Sequence, residues 1–324
     1  MRLPASLFAL LLFLCGALAH PHSALAAQSG QPPVRIEKVA TDVYALIGST
    51  GPRSYDNYGL NANFGLIVTP AGSVLIDSGT GAGAAAQLAR AARSVTSQPI
   101  RWVINTGSQD HRWLGNGYFA AHGARVIALA RTVATQQAQA GSELASLKPL
   151  LKDRLAGTRP LSAAHPLPGD LARLELGGVK IELHYLGDAH FPGDAVVWLP
   201  KQRVLFSGDL IFTDRMLGIL PMSKTVSWDR AFHRAERQFP EATIVPGHGS
   251  VGDWALARRD TGDYLDWLLK EIRPAVARWD DLGDTVNRLD RSTPQAFRRL
   301  EHADTLNRTN INRTYLQLQQ SAEQ

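Results

Sequence analysis

The feature that most constrains this fold is a series of short, β-branched, apolar segments that end in loops carrying glycine. The first series lies between residues 34 and 129 and includes "NFGLIVT", "SVLIDSG" and "IRWVINT". The second lies between residues 172 and 247 and includes "VKIELHYLG", "RVLFSG" and "ATIVPG". Such segments are typical of buried strands bounded by turns. The chain is therefore predicted to form two sheets.

Helical patterns follow both series of strands. Residues 82–95 are rich in alanine, and residues 128–157 and 228–239 also predict helices. A long helix is predicted over 253–279, where Leu265, Leu268, Leu269, Ile272 and Val276 recur at helical spacing. Two rounds of strands followed by helices indicate two packed sheets with helices on the outside.

Composition argues against nucleic acid as a partner. The 324 residues are 44% hydrophobic and 19% charged, with a formal net charge of +5. This surplus of positive charge is small, and no run of Lys or Arg concentrates it into a patch. A small-molecule partner is the simpler expectation for a globular chain of this kind.

The N-terminus predicts export. An apolar run from Leu7 to Leu14 is followed by Ala24-Leu25-Ala26, which is the pattern of a secretory signal with a small-residue cleavage site. The run is short for a membrane span, so no permanent anchor is expected. We predict a signal peptide over 1–26, a single domain with C-terminal helices over 27–324, and a periplasmic or secreted location.

Cysteine usage limits any metal chemistry. The only cysteine, Cys15, lies inside the predicted signal peptide, so the mature chain would have no thiol. Any metal would then be bound by His and carboxylate side chains, for which Zn is the default ion and Fe or Mn are alternatives.

Asp and His residues recur in the glycine-bearing loops that follow the predicted strands. One His in a loop is usually a hydrogen-bonded surface residue. Repetition after four or five strands instead indicates side chains that converge on one ion. The residues concerned are Asp77, Asp110, His111, His190, Asp209 and His248.

Four segments carry a resemblance to a known family. In order, "VLIDSG", "GDAHFPGDAVVWLP", "VLFSGDLIF" and "IVPGHG" resemble motifs of the metallo-β-lactamase-fold hydrolase superfamily, over about residues 34 to 270. The resemblance implies a four-layer αβ/βα sandwich with one or two metal ions at one edge of the sheets. Within the family, the chain is most similar to secreted members associated with quinoprotein systems.

The chain departs from the family pattern in "NTGSQDHRWLGN". The family pattern reads Asn-Thr-His-x-His-x-Asp-His, and an ungapped alignment puts Gly107 and Gln109 in place of its first two histidines. His111 then takes the position of the family Asp, and Arg112 that of the last His. An alignment shifted by one residue would instead keep Asp110-His111 as the Asp-His pair and turn Arg112 outward. Both alignments lack the His-x-His pair, so one ion is expected rather than two.

Two functions are compatible with this departure. In the first, the resemblance implies a secreted hydrolase in which His111, Asp209 and His248 hold one ion, with His190 or Asp110 as a further ligand. Asp110 would then hold a water or move its proton, and Arg112 would bind an anionic group of an ester, thioester or lactam substrate. In the second, the chain is a non-catalytic binding or relay protein of a periplasmic oxidation system that retains the hydrolase fold.

Overall fold

The computed structural model describes residues 32–322, so the predicted signal peptide over 1–26 lies outside the described residues. Residues from Pro32 onward form one compact unit with two sheets. The first sheet has the order β1-β2-β3-β4-β5-β6, antiparallel from β1 to β4 and parallel from β4 to β6. Its strands are β1 (Arg35–Ala40), β2 (Val43–Ile47), β3 (Phe64–Thr69), β4 (Gly72–Ile76), β5 (Ile100–Ile104) and β6 (Arg125–Ile127).

The second sheet has the order β11-β10-β9-β8-β7 and is antiparallel except for the parallel pair of β10 and β11. Its strands are β7 (Leu171–Leu176), β8 (Val179–Tyr185), β9 (Ala195–Leu199), β10 (Val204–Phe212) and β11 (Thr243–His248).

The helices over 82–95, 130–151 and 225–238 occupy intervals that the sequence patterns indicate, with shifts of a few residues at several ends, whereas the short helices over 110–113 and 116–121 were not predicted. The predicted helix over 253–279 is interrupted, because Arg258–Gly262 form a π-helical turn between two α-helical parts. The α-helices are α1 (Ala82–Val95), α2 (Asp110–Trp113), α3 (Asn116–Ala121), α4 (Ala130–Leu151), α5 (Thr225–Gln238), α6 (Trp254–Ala257), α7 (Asp263–Ala277), α8 (Leu282–Ser292), α9 (Gln295–Arg298) and α10 (Ala303–Ala322).

Three buried clusters define the four layers. Between the sheets, Ile67 and Val74 of the first sheet pack with Val197 and Phe206 of the second. The other face of the first sheet packs on α1, and that of the second packs on α5, α7 and α10. The predicted αβ/βα sandwich is confirmed. It follows from strands that are apolar on both faces, since such strands need a cover on each side.

The topology brings the ends of several strands to one edge of the sandwich. Asp77 follows β4, Asn105 follows β5, and β11 ends at His248. Strand β10 continues through Asp209, where the sequence pattern had indicated a loop, and its pairing with β11 shifts register around Gly208. Such an irregularity turns a strand locally and can redirect a side chain. Within residues 32–322, no helix is both long and apolar enough to cross a membrane.

Candidate metal centre

Three buried side chains from three elements meet at this edge. His111 lies in α2, Asp209 in β10 and His248 at the end of β11, and each offers a ligand atom within 4.8 Å of the others. Nε2 of His111 is 3.2 Å from Oδ2 of Asp209, and Nε2 of His248 is 3.2 Å from Oδ1. We call His111, Asp209 and His248 the three-residue cluster.

The donor set of the three-residue cluster fits a divalent ion. Two imidazole nitrogens and one carboxylate form a ligand set typical of a catalytic zinc site, which leaves a position for water. Nε2 of His111 is buried and has no hydrogen-bond partner among the described residues. Nδ1 of His248 is 2.7 Å from the carbonyl oxygen of Asn61, so Nδ1 carries the proton and Nε2 presents its lone pair to the cluster.

Arg112 is the counter-ion of Asp209. Its Nη2 and Nε donate to the two carboxylate oxygens over 2.5 and 3.1 Å, and its Nη1 donates to Asp77 over 3.0 Å. Burial alone would raise the pKa of Asp209, but the guanidinium of Arg112 and the nearby His111 hold that pKa well below its usual range. The cluster therefore keeps an anionic ligand in a dry site.

The position of Arg112 differs from the predicted substrate contact. Its side chain is 1% exposed, and it also donates to the backbone carbonyls of Asn63 and Gly247 over 2.9 and 3.1 Å. Gly247 makes this approach possible, since a Cβ there would lie 2.6 Å from Nη2 of Arg112. Arg112 thus points inward, as the ungapped alignment requires, and its bonds hold β4, β10 and β11 together.

Asp110, the predicted proton shuttle, lies on the far side of the His111 ring from the cluster. Its Oδ1 is 3.1 Å from Nδ1 of His111, and its Oδ2 accepts a hydrogen bond from Arg53 over 2.5 Å. Burial acts to raise the pKa of Asp110, but the charges and hydrogen bonds of Arg53 and His111 together outweigh it and lower that pKa. In this position Asp110 can orient His111 rather than act on a molecule at the cluster.

His190, the fourth predicted metal ligand, is outside the three-residue cluster. Its Nε2 is 3.0 Å from Oε1 of Gln109, and its ring packs 5.3 Å from that of Trp228. Burial lowers the pKa of His190 to about 4, so the ring is neutral near pH 7. We call these two residues the Gln109–His190 pair. Gln109 and Gly107 occupy the positions of the first two histidines of the family pattern in the ungapped alignment.

The sequence patterns did not single out three side chains beside the cluster. Arg53 lies in the loop between β2 and β3. Its contacts to Asp110 and His111 show that the loop covers the site. Asn61 and Glu143 do not lie in any of the sequence motifs described above. Glu143 accepts hydrogen bonds from the backbone N–H of Asp110 and from Trp113 Nε1, each over 3.1 Å.

Comparison with known proteins agrees with this architecture. The family model of the metallo-beta-lactamase superfamily matches residues 57–248, which is more than half of the chain. The chain therefore belongs to the metallo-beta-lactamase superfamily. The matched range includes all three residues of the cluster.

Individual relatives are more distant. The chain is 30% identical to a type 2 metallo-beta-lactamase of Bacteroides fragilis over 90 residues, covering 27% of this chain and 36% of that protein. It is 26% identical to one of Elizabethkingia meningoseptica over 226 residues, covering 69% and 80%. The first two relatives, from Bacteroides fragilis and Bacillus cereus, are thus matched over little more than a third of their length.

Solved structures share the fold. A metallo-beta-lactamase from Pontibacter korlensis aligns with a TM-score of 0.56 and 24% identity, covering 72% of this chain and 99% of that one. The DIM-1 metallo-beta-lactamase aligns with a TM-score of 0.55 and 23% identity, covering 73% and 98%. At this identity the likeness is evidence for the fold alone, since one fold carries many functions.

Proposed function

We propose that this protein is an exported metal-dependent hydrolase with one divalent ion, held by His111, Asp209 and His248. The observation that carries the proposal is the convergence of three buried ligand atoms within 4.8 Å, two from imidazoles and one from an ionised carboxylate. Zn is the ion that this set favours, and Fe or Mn are alternatives. Membership of a superfamily of metal-dependent hydrolases supports the same conclusion.

A bound zinc ion would supply hydroxide near neutral pH, because it lowers the pKa of its water from ~15.7 to ~7. The chain's own residues hold the ligands in place. Arg112 fixes both oxygens of Asp209, and the carbonyl of Asn61 sets the proton of His248 on Nδ1. Asp110 lies behind His111 and is proposed as a positioning residue.

We propose one ion rather than two because Gly107 and Gln109 replace the first two histidines of the family pattern. Gly107 offers no side chain there, and the amide of Gln109 is already hydrogen-bonded to His190. A neutral amide and one neutral imidazole are a weak donor set compared with two imidazoles and a carboxylate. We therefore propose that the Gln109–His190 pair lines the substrate side of the site.

The substrate class is a small ester, thioester or lactam. Among these three classes, the relatives named as metallo-beta-lactamases favour the lactam, a cyclic amide. The predicted signal peptide supports a periplasmic or secreted location, where the protein would meet a small-molecule substrate in solution. Neither a permanent membrane anchor nor a nucleic-acid partner is expected.

A second function, a binding or relay protein of a periplasmic oxidation system, is favoured by one observation. Gly107 and Gln109 remove the His-x-His pair, and Arg112 places a fixed positive charge against Asp209. A chain that had lost hydrolysis would keep the fold and these internal ion pairs.

Metal content and a substrate screen separate the two functions. Purified protein would be loaded with zinc, dialysed and assayed by elemental analysis, then tested on esters, thioesters and lactams with and without a chelator. If the protein is a hydrolase, we expect one equivalent of zinc and hydrolysis that the chelator abolishes. Both should be lost in His248→Ala and retained in the control variant His165→Ala, which changes an exposed histidine. Zinc binding without hydrolysis of any class would favour the binding protein, and no retained metal would refute the proposed site.

A further inference from the structure

Arg53 contacts the His111 ring from outside the ligand set. Nη2 of Arg53 lies 2.7 Å from Nδ1 of His111, while Nη1 of the same guanidinium donates to Asp110 over 2.5 Å. Nε of Arg53 is 3.3 Å from the side-chain oxygen of Asn61. These contacts lie in the interior, since the His111 side chain is 1% exposed.

The chemistry of arginine fixes the proton on the His111 ring. A guanidinium only donates hydrogen bonds, so a contact of 2.7 Å requires that Nδ1 accept it through its lone pair. In the neutral ring the proton must then be on Nε2, which faces Asp209. No change in the total charge of the ring is involved, since the two forms are tautomers.

This tautomer cannot bind a metal ion through Nε2, because a ligand nitrogen must present its lone pair. The metal-binding tautomer carries its proton on Nδ1 and needs an acceptor there. Oδ1 of Asp110 lies 3.1 Å from Nδ1 and is such an acceptor. His248 has the metal-binding arrangement, since Asn61 accepts from its Nδ1 over 2.7 Å, while Arg215 lies farther from that nitrogen at 3.4 Å.

We propose that Arg53 is a latch on the metal centre. Its hydrogen bond to Nδ1 of His111 and the binding of a metal ion by Nε2 of His111 exclude each other. The inference rests on the proposed metal site. Loading would require the guanidinium to leave Nδ1, the proton on Nε2 to pass to solvent, and Nδ1 to take up one proton from solvent. Nδ1–H then donates to Asp110, and the lone pair of Nε2 faces the ion. The Arg53 side chain is 20% exposed and lies in the loop between β2 and β3, so it can move without opening the core.

The first test is zinc affinity, measured by competition with a chromophoric chelator. We expect Arg53→Gln to bind zinc about tenfold more tightly than the wild type, the lower end of what a group behind a ligand changes. The matched control is Arg35→Gln, which removes one positive charge from the exposed Arg35–Glu37 pair and should leave the affinity unchanged. Equal affinity in the wild type and Arg53→Gln would overturn the latch.

The second test separates the latch from a simple loss of local positive charge. Nitrogen-15 NMR of histidine-labelled, chelator-treated protein distinguishes the two tautomers, and His111→Gln assigns the signal. We expect Nε2–H on His111 in the wild type and Nδ1–H in Arg53→Gln. Nδ1–H in the wild type would overturn the latch even if the zinc affinities differ. If no variant binds zinc, the proposed metal site is refuted, and the latch with it.

Discussion

The three-residue cluster and the Gln109–His190 pair lie at the same edge of the sandwich, yet they differ in charge. The cluster contains an ionised carboxylate, Asp209, whose charge is matched by Arg112 beneath it. The pair contains a neutral amide and a buried, neutral imidazole joined by one hydrogen bond, and Nδ1 of His190 has no hydrogen-bond partner among the described residues. The same edge thus holds one charged set of candidate metal ligands and, beside it, one neutral pair of side chains.

The two regions also differ in what a lost partner would cost. Removing a member of the buried Arg112–Asp209 ion pair takes a charged partner from the other member in the interior, whereas removing a member of the neutral pair leaves only an unmet hydrogen bond. Variants in the two regions should therefore separate in stability as well as in metal binding.

The largest expected effect is that of Asp209→Asn. Arg112 would keep Asp77 but lose two charge-assisted bonds in the interior, and the free energy of unfolding should fall by about 3–5 kcal/mol. Denaturant unfolding measures this. The control is Asp170→Asn, which breaks an exposed pair with Arg131 and should cost at most ~1 kcal/mol. Equal costs would show that the Arg112–Asp209 pair does not stabilise the fold.

Restoring the missing histidines should fail for a steric reason. A Cβ at Gly107 would lie 2.8 Å from Oδ1 of Asp194, so Gly107→His must displace that buried carboxylate. Overpacking of this kind costs about 1–3 kcal/mol. We expect the double variant Gly107→His/Gln109→His to be less stable than Gln109→His alone and to lack a second tight zinc equivalent in elemental analysis. Two tightly held equivalents would show that the backbone still accommodates the first metal site.

Single histidine variants compare the two regions directly. His111→Ala should lower zinc affinity tenfold or more, about 1.4 kcal/mol, because a ligand is lost. His190→Ala should change it much less, since His190 bonds to Gln109 outside the cluster. Chelator competition measures both. A larger loss in His190→Ala than in His111→Ala would place the ion at the Gln109–His190 pair.

The last expected effect concerns pH and Glu143. Burial raises the pKa of Glu143 to about 8, and the charge of Asp110 adds to the rise. The folded protein thus keeps a proton that the unfolded chain loses near pH ~4.3, so the free energy of unfolding falls as pH rises from that value to about 8. In Glu143→Gln this fall should be smaller.

Denaturant midpoints at pH 5 and pH 8 provide the check. The exposed Glu175→Gln serves as the control, because it removes a carboxylate of the same kind from the surface. An identical loss of stability between the two pH values in the wild type and in Glu143→Gln would contradict the role of burial at Glu143.

The sequence predicts the fold well because strand and helix periodicities are local signals. The two series of apolar segments and the alanine-rich helix over 82–95 appear in the structure nearly as read. The ordered motifs around Asp209 and His248 also place their side chains at one sheet edge. These features follow from the local spacing of apolar residues, which can be seen in a single sequence.

Other features depend on contacts between distant residues. Arg112 lies between Asp77 and Asp209, which are 35 and 97 positions away, so its burial follows from tertiary packing and not from its neighbours. Arg53 meets His111 across 58 positions, from a loop with no periodic pattern. A charged side chain in a loop is usually solvated, and only the fold shows which of them turn inward.

The location of the ion is tested most directly by anomalous diffraction at the zinc edge, with crystals grown in zinc. We expect one peak, about 2.0–2.2 Å from Nε2 of His111, Nε2 of His248 and an oxygen of Asp209. A peak between Gln109 and His190, or two peaks of equal height, would contradict a single ion at the three-residue cluster.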